Sequence, residues 1–319
     1  MNHRVAPTAM NHHLRRIAQT AVLFALAVFA TAVPSQEPTQ HPITTPTASV
    51  SVLTLNLWHD KGDWPKRRAL IVEEIKHLKP DLIALQEVLQ RPGLRNQAED
   101  LAEAVGYKVR FVSVDALEAE RRYGNAVLFK SASRAGQMRK LEPLNDYRTA
   151  VHAQIVRDAM HVGTDFYTTH LHNERKGGDI RRRQVASLLD FIDSTQTTGL
   201  VIVAGDFNSD ADSPELKALA ARYHDAFAQA HPDLATNPSR ATTLNPAYLP
   251  AQRVDHVFYD PQRFDLLQAC IVLDQACDGV WASDHFGLFV RLRPTHPMES
   301  SSSKSGSPKL PISKADRCN

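Results

Sequence analysis

The chain has 319 residues, 43% hydrophobic and 23% charged, with 37 Lys and Arg against 35 Asp and Glu. That apolar fraction supports a packed core and excludes a mostly disordered chain. The near-neutral balance excludes the broad basic excess of a dedicated nucleic-acid binder.

Arg15 and Arg16 precede an apolar run over residues 17–33, interrupted by Gln19, Thr20 and Thr31. Ala30-Thr31-Ala32 then places small residues at the spacing of a signal-peptidase site. A positive start, an apolar middle and a small-residue exit define a secretory signal, and the run falls short of the roughly 20 residues that span a bilayer. Residues 1–32 are therefore expected to be removed, leaving no stable membrane anchor. The loss of three Arg leaves 34 basic and 35 acidic residues. The mature protein is expected to be exported, periplasmic or secreted, and monomeric.

Residues 33–48, rich in Pro, Thr and Gln, read as a flexible linker, and residues 294–319, Ser-rich with four prolines, as a disordered tail. One catalytic-sized domain lies between them, over residues 49–293. Its strand signals fall at residues 51–57, 81–86 (ending at Glu87), 107–114, 124–129, 150–156, 165–169, 200–204, 253–259, 264–272 and 286–292. Helical spacing covers residues 63–78, through Trp64, Arg68, Ile71, Val72, Ile75 and Leu78, and also residues 97–105 and 180–192. Mixed strands with helices over their outer faces point to two packed sheets flanked by helices. In an oxidising compartment Cys270 and Cys277 are candidates to close a short loop, the alternative being free thiols, and Cys318 is left over.

Polar residues interrupt these apolar strands at or near their ends. Asn56 ends the first and Glu87 the second; His170 ends Thr-Thr-His, Asp206 and Asn208 follow Val-Ile-Val-Ala-Gly, Asp255 lies in Arg-Val-Asp-His, and Asp284-His285 opens the last. Taken singly, each has an ordinary explanation as a cap, a turn former or a solvated charge. Together they supply carboxylates, amides and imidazoles without clustered thiolates, a donor set suited to Mg²⁺, Mn²⁺ or Ca²⁺.

Leu-Asn-Leu, Leu-Gln-Glu-Val, Tyr-Gly-Asn-Ala-Val-Leu, Thr-His-Leu, Gly-Asp-Phe-Asn, Arg-Val-Asp-His and Ser-Asp-His occur in that order from Asn56 to His285. The series resembles the endonuclease/exonuclease/phosphatase superfamily, which includes deoxyribonuclease I-like, exonuclease III-like and neutral sphingomyelinase-like enzymes. The resemblance implies a four-layer α/β/β/α sandwich and metal-dependent hydrolysis of a phosphate ester. It implies that Glu87 is the principal metal ligand, with Asn56 and Asp284, and that Mg²⁺ or Mn²⁺ is the cofactor. By the same resemblance Asp206 activates the attacking water, Asn208 holds a phosphate oxygen, and His285 serves the phosphate with Asp255 as its carboxylate partner. His170 is the second imidazole, Arg148 binds phosphate, and Asn125 supports the phosphate pocket. Arg181 and Gln184 resemble a structural Arg-x-x-Gln; the remaining histidines, His59 and His172 among them, are left as background.

Two substrate classes stay open: nucleic acid or a general phosphodiester, and phospholipid or phosphoinositide head groups. The neutral charge weakens the first, and the lack of a bilayer-entering hairpin weakens the second. A third possibility is a phosphate-binding protein without catalysis, which the occupancy of every major position disfavours.

Overall fold

Alternation along the first strand, β1 (Val50–Asn56), explains how the layers form. Every residue of it is buried, because both of its faces are covered. Val50 and Val52 point into a core between two sheets, whereas Leu53 and Leu55 point outward beneath helices. The computed structural model describes residues 49–156, 163–234 and 241–295. The expected signal peptide and linker lie outside these residues.

Helix α1 (Trp64–Leu78), strand β2 (Leu82–Gln90), helix α2 (Gln97–Val105) and strands β3 (Lys108–Ser113) and β4 (Arg122–Phe129) follow β1. Then come β5 (Ala132–Lys140), β6 (Thr149–Val156), β7 (Gly163–His170), α3 (Gly178–Thr195) and β8 (Val201–Asp206). The short α4 (Lys217–Ala220), β9 (His224–Asp225) and α5 (Ala226–Ala230) precede β10 (Asp255–Tyr259), β11 (Phe264–Val272) and β12 (Gly287–Pro294). One sheet has the order β11-β12-β1-β2-β4-β3 and the other β5-β6-β7-β8-β10-β9. Both are mixed, with β1 parallel to β2 and β7 parallel to β8.

Val52, Ala84 and Val127 of the first sheet meet Ala153, Phe166 and Ile202 of the second. Ile71, Ile75 and Leu101 from α1 and α2 cover the outside of the first sheet, and Leu188, Phe191 and Ile192 from α3 cover the second. This is the expected four-layer sandwich. Asp63 caps α1 by accepting a hydrogen bond from the Lys66 amide at 3.2 Å, with Pro65 in the first turn.

Three expectations need correction. The second strand does not stop at Glu87: it continues to Gln90 across a β-bulge, where Leu85 pairs with Ala126 and Val88 with Gly124. The tail does not begin at residue 294, because Pro294 pairs with Phe264 and the Thr295 amide donates to Arg263 O at 2.9 Å. Cys270 and Cys277 do not pair with each other. Cys277 is a free, exposed thiol in a tight turn with Val280, whereas Cys270 is buried on β11 and bonded elsewhere.

Candidate active site

The inner, inter-sheet faces change chemistry toward one end of the sandwich. On β1 the inward series runs Val50, Val52, Thr54, Asn56; on β7 it runs Phe166, Thr168, His170; on β8 it runs Ile202, Ala204, Asp206. A buried polar seam bridges the sheets there, from Thr54 Oγ1 to Gln86 Oε1 at 3.4 Å and from Gln86 Nε2 to Thr168 Oγ1 at 3.1 Å. Buried polar groups persist only when bonded in this way.

Asp206 is the hub. Its Oδ2 accepts a hydrogen bond from Asn56 Nδ2 at 3.0 Å and lies 3.4 Å from His170 Nε2 and 3.9 Å from His285 Nε2. Its Oδ1 accepts the Asn208 amide at 2.9 Å, with Asn208 in the left-handed region at φ 51°. Gly205 makes this turn possible: it sits at φ 149°, and a Cβ there would lie 2.1 Å from Thr169 O, prising β8 from β7. Burial, reinforced by the charge of Asp255, pushes the Asp206 carboxyl up to about 7, against the lowering by His285, Asn56 and Asn208.

The two imidazoles are held in different states. Burial opposes charge on His285, but Asp255, whose Oδ2 is 2.8 Å from Nδ1, outweighs it together with Asp206 and Asp284 and raises the pKa to about 10. His285 is thus an imidazolium at neutral pH. Burial, with Arg148 and His285 nearby, drives His170 well below its ordinary value, so it is neutral. Pairs of titratable groups pushed apart in this way mark sites of proton chemistry.

Glu87 occupies the bulge in β2 with φ 55°, which turns its half-buried carboxylate out of the strand's alternation. It lies 3.5 Å from His59 Nε2 and interacts with the Tyr123 hydroxyl, whose ionisation burial and Glu87 both suppress. Asp284 is half-buried; burial raises its pKa, His285 opposes this and the Glu87 charge adds to it. Two carboxylates that repel across a partly desolvated space, beside the Asn56 amide, are oxygen donors that fit a hard divalent cation. Asn56 Oδ1 accepts the Trp58 amide at 2.9 Å and keeps a second lone pair.

Asp206, Asp255 and His285 also lie close enough to hold an ion, with ligand atoms within 4.8 Å of one another. Their chemistry favours a proton-handling set instead. His285 Nδ1 is committed to Asp255, and an imidazolium and a cation would compete for one space.

Arg148 is buried at 3% exposure, its Nε has no partner among the described residues, and its guanidinium lies 4.7 Å from the Tyr147 ring centroid. A buried cation in that state fits an anionic ligand. Asn125 Nδ2 donates to both Thr149 O and Thr149 Oγ1 at 3.1 Å, tying β4 to β6 beside Arg148, a supporting position and not a direct substrate contact for this nitrogen. Asn208 Nδ2 gives one hydrogen to Leu171 O at 3.0 Å and has a second to offer.

Sequence reasoning passed over His59, Tyr123 and Arg67. His59 follows Asn56 so closely that its proximity to Glu87 depends on the unusual φ values of Trp58 (55°) and His59 (34°), for which no short motif speaks. Tyr123 opens the Tyr-Gly-Asn series already noted. Gln184 and Arg181 are structural, as the resemblance implies. Gln184 joins His172 to Asp146, and Arg181 bonds Glu215, His172 O and Glu174 O.

This fold and this site define a phosphoester-hydrolase scaffold, and residues 53–285 match the Endonuclease/Exonuclease/phosphatase family. The chain belongs to that family, whose members are hydrolases acting on phosphodiester bonds and generally use divalent metals. Protein angel of Drosophila melanogaster is 26% identical over 199 residues, covering 57% of this chain and 54% of that protein. The chain thus spans about half the length of this curated relative. The human Nocturnin catalytic domain with bound sulfate superposes at a TM-score of 0.65 and 20% identity, over 79% of this chain and 95% of that one. D. rerio TDP2 complexed with a single-strand DNA product gives a TM-score of 0.64 at 19% identity, over 77% and 99%. These last two likenesses carry the fold.

Proposed function

We propose that the chain is an exported, divalent-metal-dependent phosphodiesterase, nuclease-type or general, that hydrolyses a P–O bond by in-line attack of water. The observation that carries this reading is the convergence on Asp206 of Asn56, Asn208, His170 and His285, from four strand ends of two sheets. Glu87, Asn56 and Asp284 are the residues that would hold Mg²⁺ or Mn²⁺, which when bound supplies Lewis-acid polarisation of a phosphoryl oxygen.

This chain's own residues do the rest. Asp206, near half-ionised at neutral pH, accepts the proton of the attacking water. Asp255 fixes the His285 ring and keeps it charged, so Nε2–H donates to a phosphoryl oxygen. Arg148 offsets charge on the equatorial oxygens, neutral His170 stands 3.4 Å from Asp206 Oδ2, and Asn208 Nδ2 offers its second hydrogen to a phosphate oxygen. Nocturnin's bound sulfate and TDP2's single-strand DNA product support a site for tetrahedral oxyanions and phosphodiesters.

A panel of bis-aryl phosphate, plasmid DNA, RNA, sphingomyelin and phosphoinositides, assayed on residues 33–319 with Mg²⁺ or Mn²⁺, tests the substrate class. The expected result is hydrolysis of the bis-aryl phosphate and of nucleic acid. Head-group release alone assigns a lipid phosphodiesterase or phosphatase, and tight phosphate binding with no product from any substrate assigns a binding protein.

A further inference from the structure

Arg67 is 1% exposed on the buried face of α1, in the middle of a Lys-Arg-Arg run. A guanidinium carries five N–H donors in a rigid planar fork. Here Nε donates to Ala282 O at 3.0 Å, Nη1 to His59 O at 3.1 Å and Lys61 O at 2.8 Å, and Nη2 to Leu57 O. The acceptors are backbone carbonyls of two separate segments. Residues 57–61 leave β1 just after Asn56 and bring His59 to Glu87; Ala282 immediately precedes Ser283, Asp284 and His285. The fork also lies 5.2 Å from the Trp58 ring centroid and 5.4 Å from that of Trp64. Trp58 and His59 both hold positive φ, a conformation that persists in such residues only where the surroundings impose it.

We propose that Arg67 is a positioning residue for the divalent cation, clamping the 57–61 loop to the 282–285 segment so that Asn56, Glu87 and Asp284 present their oxygens together before the cation binds. The inference rests on the metal reading above. Arg67 acts through backbone carbonyls. Its charge, kept despite burial that draws the pKa down to about 10, also faces Asp284 and Glu87 and offsets part of their repulsion.

The test is calorimetric titration of Mn²⁺ into metal-free wild type, Arg67→Lys and Val72→Ala. Lysine keeps the charge, but its three donors share one nitrogen and cannot span both segments. Arg67→Lys is expected to weaken Mn²⁺ binding by at least about tenfold, the scale of supporting contacts around metal ligands. It should raise the Mn²⁺ needed for half-maximal hydrolysis in parallel, while kcat at saturating Mn²⁺ largely recovers. Val72→Ala, a cavity in the same helix, should lower Tm with Mn²⁺ affinity unchanged. Equal Mn²⁺ affinity in wild type and Arg67→Lys overturns the clamp. Failure of the wild type itself to bind Mn²⁺ overturns the metal reading and the clamp with it. If Arg67→Lys does not fold, amide exchange in the wild type decides. The Leu57, Trp58 and Lys61 amides, bonded to Gln86 O, Asn56 Oδ1 and Trp58 O, should be equally protected in EDTA and in Mn²⁺. Protection that arises only with Mn²⁺ overturns the proposal.

Discussion

Asp206→Asn should lower kcat by at least about 10²-fold, the scale of a general base, without loss of the fold. The replacement keeps an oxygen for the Asn208 amide but removes the proton acceptor and sets an NH₂ group against Asn56 Nδ2. It should also change stability in a way set by the sign of the pKa shift. The folded Asp206 carboxyl titrates near 7, above its ordinary value of 3.8, so the unfolded chain ionises first. Metal-free wild type therefore loses stability as pH rises between about 4 and 7 through this group. Asparagine does not titrate, so the variant should gain on the wild type across that window, most of all at its upper end. Rates near wild type in steady-state assays would remove Asp206 from the chemistry, and a variant-minus-wild-type Tm difference that does not rise between about pH 4 and pH 7 would contradict its raised pKa.

His285→Ala should cost a similar factor in kcat and, unlike Asp206→Asn, destabilise the protein. Asp255 is fully buried, its Oδ1 already has no partner among the described residues, and losing His285 strips Oδ2 as well. Removing one member of a buried pair typically costs on the order of 3–5 kcal/mol. Because the folded His285 pKa lies near 10, above its ordinary 6.5, its stabilisation is complete below about pH 6.5 and is lost as pH rises toward 10. Thermal midpoints in EDTA should therefore fall between those limits in the wild type and vary much less in the variant. An unchanged pH slope in His285→Ala would show that the imidazolium does not carry the effect.

Much of the fold was legible because β1 and β8 are apolar runs that end in a polar residue, Asn56 and Asp206, and β7 ends likewise at His170. The order of the short motifs then located Asp206, His170, Asp255 and His285, which do meet. What escaped the sequence depends on partners. The Glu87 bulge exists only in register with β4, so β2 appeared to end there. The β5 segment, with an exposed Met138 and basic residues, has no apolar alternation and forms a strand through pairing with β6. α4 and α5 are too short to show a helical period. Arg68 was placed on the helical face, whereas Arg67 occupies it, because a buried arginine is recognisable only from the carbonyls that surround it. The bonds through which Asn125 acts were hidden for the same reason: its partner Thr149 lies in the other sheet.

A single titration bears most directly on whether this cluster is a cation-dependent hydrolytic centre. Purified residues 33–319 are assayed on a bis-aryl phosphate in excess EDTA, and Mg²⁺ or Mn²⁺ is then added back. Hydrolysis should vanish with the chelator and return with the metal. Undiminished turnover in EDTA would contradict the assignment of Glu87, Asn56 and Asp284 to a cation.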